Sequence, residues 1–249
     1  MKPISIIIIN HNYSSWVLQS IQSAINQDYN GYITVYIVES GSTDDSLSKI
    51  NNAFFQIQIP DGDFGFAKKI SNNRELKLIN LKKNLGPSFA RNIAINDALQ
   101  NSEYLFILDS DDEMYPNKVS RMLSVAESNR LIGVVYADYD ILNMDTGVCL
   151  TEYKEPFDLH RLTQECIVHS GSMISKEALE AVLDGDGYYD VNMRTCEDYD
   201  LWIRIAKKFI IYHIPESLTL VRNHRNNSTN TVDKQIWEQN WLRIRQKNA

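Results

Sequence analysis

Cysteine is scarce: three residues, Cys149, Cys166 and Cys196, an odd number with no close pair at metal-ligand spacing. A disulfide framework or a structural zinc site is therefore not expected, and reduced thiols of a cytosolic protein, packed as small hydrophobes, are. No stretch approaches the roughly 20 apolar residues of a membrane-spanning helix. The apolar run at residues 6–9 is shorter than a signal peptide's core and precedes no small-residue cleavage site. Positive charge is also short. Lys and Arg number 25 against 32 Asp and Glu, a net charge of −7, which argues against nucleic acid as a partner. With only 10 glycines and 6 prolines, no Pro/Gly-rich linker divides the 249 residues, so one domain with a sizeable core is expected.

What is present is organised around residues 104–112, Tyr-Leu-Phe-Ile-Leu-Asp-Ser-Asp-Asp. The five-residue apolar run reads as a strand buried on both faces, and it delivers Asp109, Asp111 and Asp112 at its carboxyl end. Three carboxylates there repel one another unless a cation with hard oxygen ligands joins them. A solvated acidic turn is the plain alternative. Ligands of an open α/β sheet bind outside the carboxyl ends of its strands, and this favours the cation.

Residues 4–9 read as another buried parallel strand, ended by Asn10, His11, Asn12 and Tyr13. A helix follows over 16–27, with Val17, Leu18, Ile21, Ala24 and Ile25 on one face, and then a strand over 33–38 that exits at Glu39 and Ser40. Residues 57–59 read as a short strand, 61–66 as a surface loop and 76–81 as a strand. Asn84, Gly86 and Pro87 then open a helix that carries Arg91 near its start, either as a surface ion-pair partner or as a site residue. A helix over 116–129, a strand over 131–136 and a hairpin with a loop inside 137–165 complete the alternation of a doubly wound sheet. The small residues around His169, Ser170, Gly171 and Ser172 would let a ligand approach the backbone.

Glu197 and Asp198 stand at the start of an amphipathic helix. They suit that position electrostatically, and a helix end would equally hold a general base. Arg222, His224 and Arg225 put two cations and an imidazole on one expected loop, suited to a phosphate or a metal. Residues 232–249 read as a last amphipathic helix, apolar at Ile236, Trp237, Trp241 and Ile244 and basic at Lys234, Arg243, Arg245 and Lys247. It would dock on the domain, or meet a partner subunit or an anionic membrane surface.

In this order the stretches resemble the inverting, nucleotide-sugar-dependent glycosyltransferases of family two, over about residues 2–230. The opening strand with Asn10 and His11, the group Asn84, Gly86, Ala90, Arg91 and Asn92, the Asp109–Asp112 turn as a DxD motif, the pair Glu197 and Asp198 before Leu201, Trp202 and Arg204, and the basic Arg222 and His224 carry it. One departure is Glu39-Ser40 where the family usually has two aspartates, which loosens its preference for uridine.

The resemblance implies a single-domain α/β, Rossmann-like mixed sheet of the glycosyltransferase A type over 1–230, with the helix of 231–249 appended. It implies a UDP-sugar or other nucleotide-sugar donor, Mn²⁺ or Mg²⁺, and a glycan or lipid-linked acceptor. His11, Glu39 and Arg91, with Asn10 and Asn84, would hold the nucleoside, and Asp109 the ribose or the metal. Asp111 and His224 would bind the metal, Arg222 would face the diphosphate, Glu197 would sit on the substrate, and Asp198 would be the base. Surface polysaccharide assembly in the cytoplasm, at the inner face of the membrane, is the implied setting, with a homo-oligomer open.

Two rivals stand beside it. A nucleotidyltransferase shares the doubly wound sheet but usually carries a Gly-rich basic loop after its first strand, and residues 10–15 have neither glycine nor lysine. A non-catalytic nucleotide-sugar-binding module would not need Asp198.

Overall fold

The computed structural model describes residues 1–248. Among them the strands are β1 (Ile4–Asn10), β2 (Ile33–Ser40), β3 (Phe64–Ser71), β4 (Arg74–Leu81), β5 (Tyr104–Asp109), β6 (Glu113–Met114), β7 (Ile132–Asn143), β8 (Cys149–Glu152), β9 (Met173–Ser175) and β10 (Ile210–Asn223). They form one mixed sheet in the order β3-β4-β2-β1-β5-β9-β7-β10-β6, with β8 paired to β7. The helices are α1 (Val17–Ile25), α2 (Ser46–Ile50), α3 (Pro87–Ala98), α4 (Lys118–Ala126), α5 (Leu159–Leu162), α6 (Lys176–Val182), α7 (Glu197–Ala206), α8 (Ser228–Thr231) and α9 (Lys234–Asn248). A π-helical turn, Asn51–Phe55, extends α2.

Apolar runs become central strands because both faces of the sheet are covered. In β1, Ile7 joins Leu105, Ile107 and Tyr136 in one core, while Ile6 and Ile8 join Val35, Ile37, Phe106 and Leu108 in the other. The parallel register then sets the site. Asn10 lies level with Glu39, Ile9 with Asp109 and Glu39 with Asn80, so β1, β2, β4 and β5 end together on one edge.

The structure corrects several expectations. Residues 57–59 are not a strand, because the Asn51 side chain takes both backbone groups of Ile57, donating to its carbonyl at 2.9 Å and accepting from its amide at 3.0 Å. Part of the loop expected over 61–66 belongs to β3, an exposed edge strand antiparallel to β4, whose face toward water hides the alternation of a half-buried strand. Arg222 lies on a strand and not on a loop. Residues 210–223 run parallel to β7 as β10, with an irregularity between Ile214 and Ser217 that accommodates Pro215 and Glu216 and a further one between Ser217 and Leu220. β7 likewise runs on to Asn143, and Gly147, with φ 72°, turns the hairpin into β8.

α9 docks on the domain. Ile244 is buried in the core, Trp237 and Trp241 pack against it, and Arg243 and Lys247 pair with Asp186 and Asp190. The expected end of this helix, Ala249, lies outside the described residues. Among the described residues no helix is long and apolar enough to cross a membrane.

Candidate active site

Three groups of side chains meet along the edge where β1, β2, β4 and β5 end. The first surrounds Glu39, which is buried. Asn10 Nδ2 donates to one of its carboxylate oxygens at 2.6 Å and the Ser42 amide to the other at 3.1 Å. Burial raises the Glu39 pKa above the usual carboxylate range, despite these hydrogen bonds. His11, partly exposed, places Nδ1 2.9 Å from the Ser40 carbonyl. Glu39 lines a cavity of about 210 Å³ together with Leu47, Ile59, Asn80 and Leu81. Asn84 is exposed, accepting from the Gly86 amide at 2.9 Å, and its backbone lies against Gly41. Gly41 has φ +62°, and a Cβ there would come within 2.7 Å of the Asn84 nitrogen, so only glycine lets β2 turn under this loop.

The second group is built on the exit of β5. Asp111 and Asp112 are each 6% exposed. His224 Nε2 lies 3.1 Å from Asp111 Oδ2, and Asn227 Nδ2 donates to the same oxygen at 3.1 Å. His224 Nδ1 accepts from the Asn226 amide, which leaves Nε2 to face Asp111. The His224 ring stacks on Trp16, centroids 4.2 Å apart, and Tyr13 donates to the Asn226 carbonyl, so the turn after β1 clamps the turn after β10. Arg222 braces the carboxylates: its amide donates to Asp112 at 2.9 Å and Nη1 to the Asp111 carbonyl at 2.7 Å, while Nη2 pairs with Glu113.

Burial, then the charge of Asp109, raises the Asp111 pKa, and burial with Asp111 raises that of Asp112 well above the carboxylate range. Among the described residues no three His, Cys, Asp or Glu side chains converge into a closed metal cage. Asp111 and His224 would together offer a carboxylate oxygen and a ring nitrogen to a divalent cation. A divalent cation would also relieve the crowding of negative charge that raises both carboxylates, so the residues fit one.

The third group links α3 to α7. Arg91, 5% exposed, donates from Nη1 to Glu197 Oε1 at 2.5 Å and from Nη2 to Asp109 Oδ1 at 3.2 Å, with its guanidinium 5.2 Å from the Tyr189 ring centroid. Burial would lower its pKa, and the charges of Glu197 and Asp109 more than offset this, so it stays charged. Beside it Asp198 is partly exposed and accepts from the Tyr199 amide at 2.8 Å. Desolvation, then the charge of Glu197, pushes the Asp198 pKa up to about 7. A carboxylate that gains and loses its proton near neutrality is suited to proton transfer.

Lys118, the first residue of α4, has a sequence context that reads as a helix start on the surface, yet it is 0% exposed. Its Nζ donates to the Gly171 carbonyl and Thr219 Oγ1, both at 2.7 Å, which ties the 169–172 turn to β10 behind the carboxylates. Burial pushes its pKa down to about 8, against the charges of Asp112 and Asp109. His169 is held neutral, its pKa pushed down to about 3 by burial and by Lys118, and Ser170 donates to Asp109 at 3.4 Å. Replacing Lys118 by Met should lower stability by about 2–4 kcal/mol, because buried oxygens lose their donor and Asp112 its counter-charge. Urea unfolding would measure this; an unchanged midpoint would refute it.

Comparison with known proteins follows the same lines. Residues 5–183 match the family model described as Glycosyl transferase family 2. An uncharacterized glycosyltransferase of Rickettsia bellii is 27% identical over 229 residues, 91% of this chain but 29% of that protein, so the chain spans under a third of that relative's length. One from Methanocaldococcus jannaschii is 25% identical over 94% of this chain and 76% of its own. Among solved structures, S. aureus TarS 1-349 in complex with UDP-GlcNAc superposes with a TM-score of 0.69 at 18% identity, over 96% of this chain and 64% of that one. The mannosyltransferase PcManGT of Pyrobaculum calidifontis, in complex with GDP-Man and Mn²⁺, gives a TM-score of 0.65 at 16% identity, over 90% and 58%. The shared fold is the single-domain mixed α/β sheet of the glycosyltransferase A type.

Proposed function

The chain belongs to glycosyl transferase family 2, and on that premise we propose that it moves one sugar from a nucleotide-sugar, foremost a UDP-sugar, to an acceptor hydroxyl with inversion at the anomeric carbon. The observation that carries this is Asp198: a partly exposed carboxylate with a pKa near 7, tied through Glu197, Arg91 and Asp109 to the strand end that bears Asp111. Bound TarS and PcManGT carry UDP-GlcNAc and GDP-Man with Mn²⁺, which supports a nucleotide-sugar donor here.

In this reading the nucleobase enters the cavity over Glu39, with Asn10 and His11 beside it and Asn84 on the adjoining loop. Asp109 meets the ribose. Asp111 and His224 would hold Mn²⁺ or Mg²⁺, which would supply positive charge for the leaving diphosphate. Arg222 adds positive charge while bracing Asp111 and Asp112. Asp198 takes the acceptor's hydroxyl proton, the acceptor oxygen bonds the anomeric carbon, and the bond to the diphosphate breaks with its electron pair leaving on the nucleoside diphosphate. One base and one in-line displacement invert the centre, unlike glycoside hydrolysis with its two flanking carboxylates. Arg91 orients Glu197 and Asp109, and Glu197 in turn sets the charge at Asp198.

Residues 1–230 are the catalytic unit in this proposal, with α9 laid against it. The setting is surface polysaccharide assembly at the inner face of the membrane, with a glycan or lipid-linked acceptor. The family resemblance alone supports that setting.

The test is nucleoside-diphosphate release from UDP-, GDP- and dTDP-sugars with and without Mn²⁺, alongside thermal shifts with each nucleotide. Metal-dependent release from one donor is expected; neither release nor shift with any of them would overturn the reading. Asp111→Asn should weaken nucleotide binding in a Mn²⁺ titration by about tenfold or more. Equal affinity would remove Asp111 from the metal site.

A further inference from the structure

α9 and the turn after α5 bound a groove of about 660 Å³ that the donor-side chemistry leaves unused, lined by Gln164, Lys234, Trp237, Glu238, Trp241 and Arg245. Its size falls within the roughly 300–1,000 Å³ of small-ligand sites. Trp237 and Trp241 stand one helical turn apart, so they follow one another along a single face of α9.

A wall of the groove packs on the helix that carries Asp198. The Trp241 ring lies 5.0 Å from that of Tyr199, the residue after Asp198, and Arg245 lies over Trp241 at 5.8 Å. Tyr199 donates its hydroxyl to the Leu162 carbonyl at 2.6 Å, beside Gln164. Asn240 donates to the Thr195 carbonyl at 3.0 Å and to Thr195 Oγ1 at 2.8 Å, which fixes α9 against the turn that presents Glu197 and Asp198. Trp237 and Trp241 are both partly exposed and both pack against the core, Trp241 forming the wall against Tyr199 and Trp237 a platform beside it.

A pyranose ring has an apolar face of C–H groups and a rim of hydroxyls. Two indoles supply flat apolar surface with little rotamer freedom to lose, and an amide, a carboxylate, an ammonium and a guanidinium supply hydrogen bonds in both directions. Gln164 already pairs with Arg161 and His160, and a purely apolar partner would offer the charged groups of Lys234, Glu238 and Arg245 no hydrogen bond in exchange for water. On the proposed function above, the acceptor must reach Asp198, and this groove shares a wall with the start of α7. We infer that the groove binds a saccharide unit of the acceptor, stacked on Trp237 and remote from the reacting hydroxyl. Binding energy gathered there would hold the hydroxyl at the base.

An array of defined mono- to tetrasaccharides, probed with the wild type, Trp237→Ala and Trp237→Phe, tests this, with the tightest oligosaccharide followed by titration calorimetry. The wild type should retain at least one oligosaccharide. Trp237→Ala should lose about tenfold or more in affinity for it and Trp237→Phe should recover most of that loss. Nucleotide affinity should be the same in all three proteins, which shows that each is folded. Equal oligosaccharide affinity in Trp237→Ala would overturn the groove while leaving the donor chemistry standing. A wild type that binds nucleotide but retains no saccharide would overturn it too, and anionic vesicles held through Trp237 instead would reassign the groove to a membrane. A wild type that binds no nucleotide would be a failure of the proposed function itself.

Discussion

Replacing Asp198 by Asn should cut turnover by on the order of 10²- to 10⁴-fold, the usual contribution of a positioned general base. The amide keeps the size of the side chain and still accepts from the Tyr199 amide, so nucleotide affinity should stay within about twofold of wild type. The pH dependence gives a second handle. Asp198 acts only after losing its proton, and desolvation with Glu197 places that loss near pH 7. Wild-type turnover should therefore rise through pH 7 and level off above it, and the rise should vanish in Asp198→Asn. Stability runs the other way for this group. Between about pH 4, where an unfolded Asp titrates, and pH 7 the folded chain holds a proton the unfolded chain has lost, so its contribution to stability declines over that interval as pH rises. Steady-state kinetics from pH 5.5 to 8.5 would check the first point; a flat wild-type profile would refute the assignment.

Arg91→Met should be the most damaging change to the fold. It leaves Glu197 and Asp109 facing each other in a buried setting without the guanidinium between them, and breaking a buried ion pair by removing one partner costs about 3–5 kcal/mol. The Asp109 carboxylate is a third exposed, which places the cost toward the lower end of that range. Arg91 also lowers the Asp198 pKa, against desolvation and Glu197. Whatever activity survives should have its pH limb moved above that of wild type. Guanidinium unfolding and the same kinetic series would read both effects. A stable variant with an unmoved limb would show that Arg91 neither holds the acidic pair nor acts through it.

Much of the frame was legible because the signals are local. The runs of β1 and β5 are apolar on both faces, and in a parallel sheet such strands end on the edge where Asn10 and Asp109 stand. The carboxylates after β5 and before α7 could be read because each follows or precedes a regular element directly. What could not be read is pairing over distance. Arg91 and Glu197 are 106 residues apart, and nothing in the first turns of α3 distinguishes a buried arginine from a surface one. Lys118 has the same problem: at a helix start it looks solvated, and only β10 and the 169–172 turn closing over it make it internal. β10 itself was hidden by Pro215-Glu216 in its middle, since the irregular pairing that tolerates them is a property of the partner strand. The aromatic clamp of Tyr13 and Trp16 on His224 joins the two ends of the chain. Its sequence trace was two aromatics just after the first strand, which also suited an ordinary helix start.

The measurement that bears most directly on the central claim is the anomeric configuration of the sugar as it first leaves the donor, followed by ¹H NMR during turnover with the donor found in the nucleotide screen. A single base and a single displacement predict that an α-linked donor yields the β anomer first, in product or in water-trapped sugar, with the α form growing in only as the free sugar equilibrates. First appearance of the α anomer would contradict the account. Retention would require a second group on the opposite face of the sugar, and Asp198 could not then be the lone base.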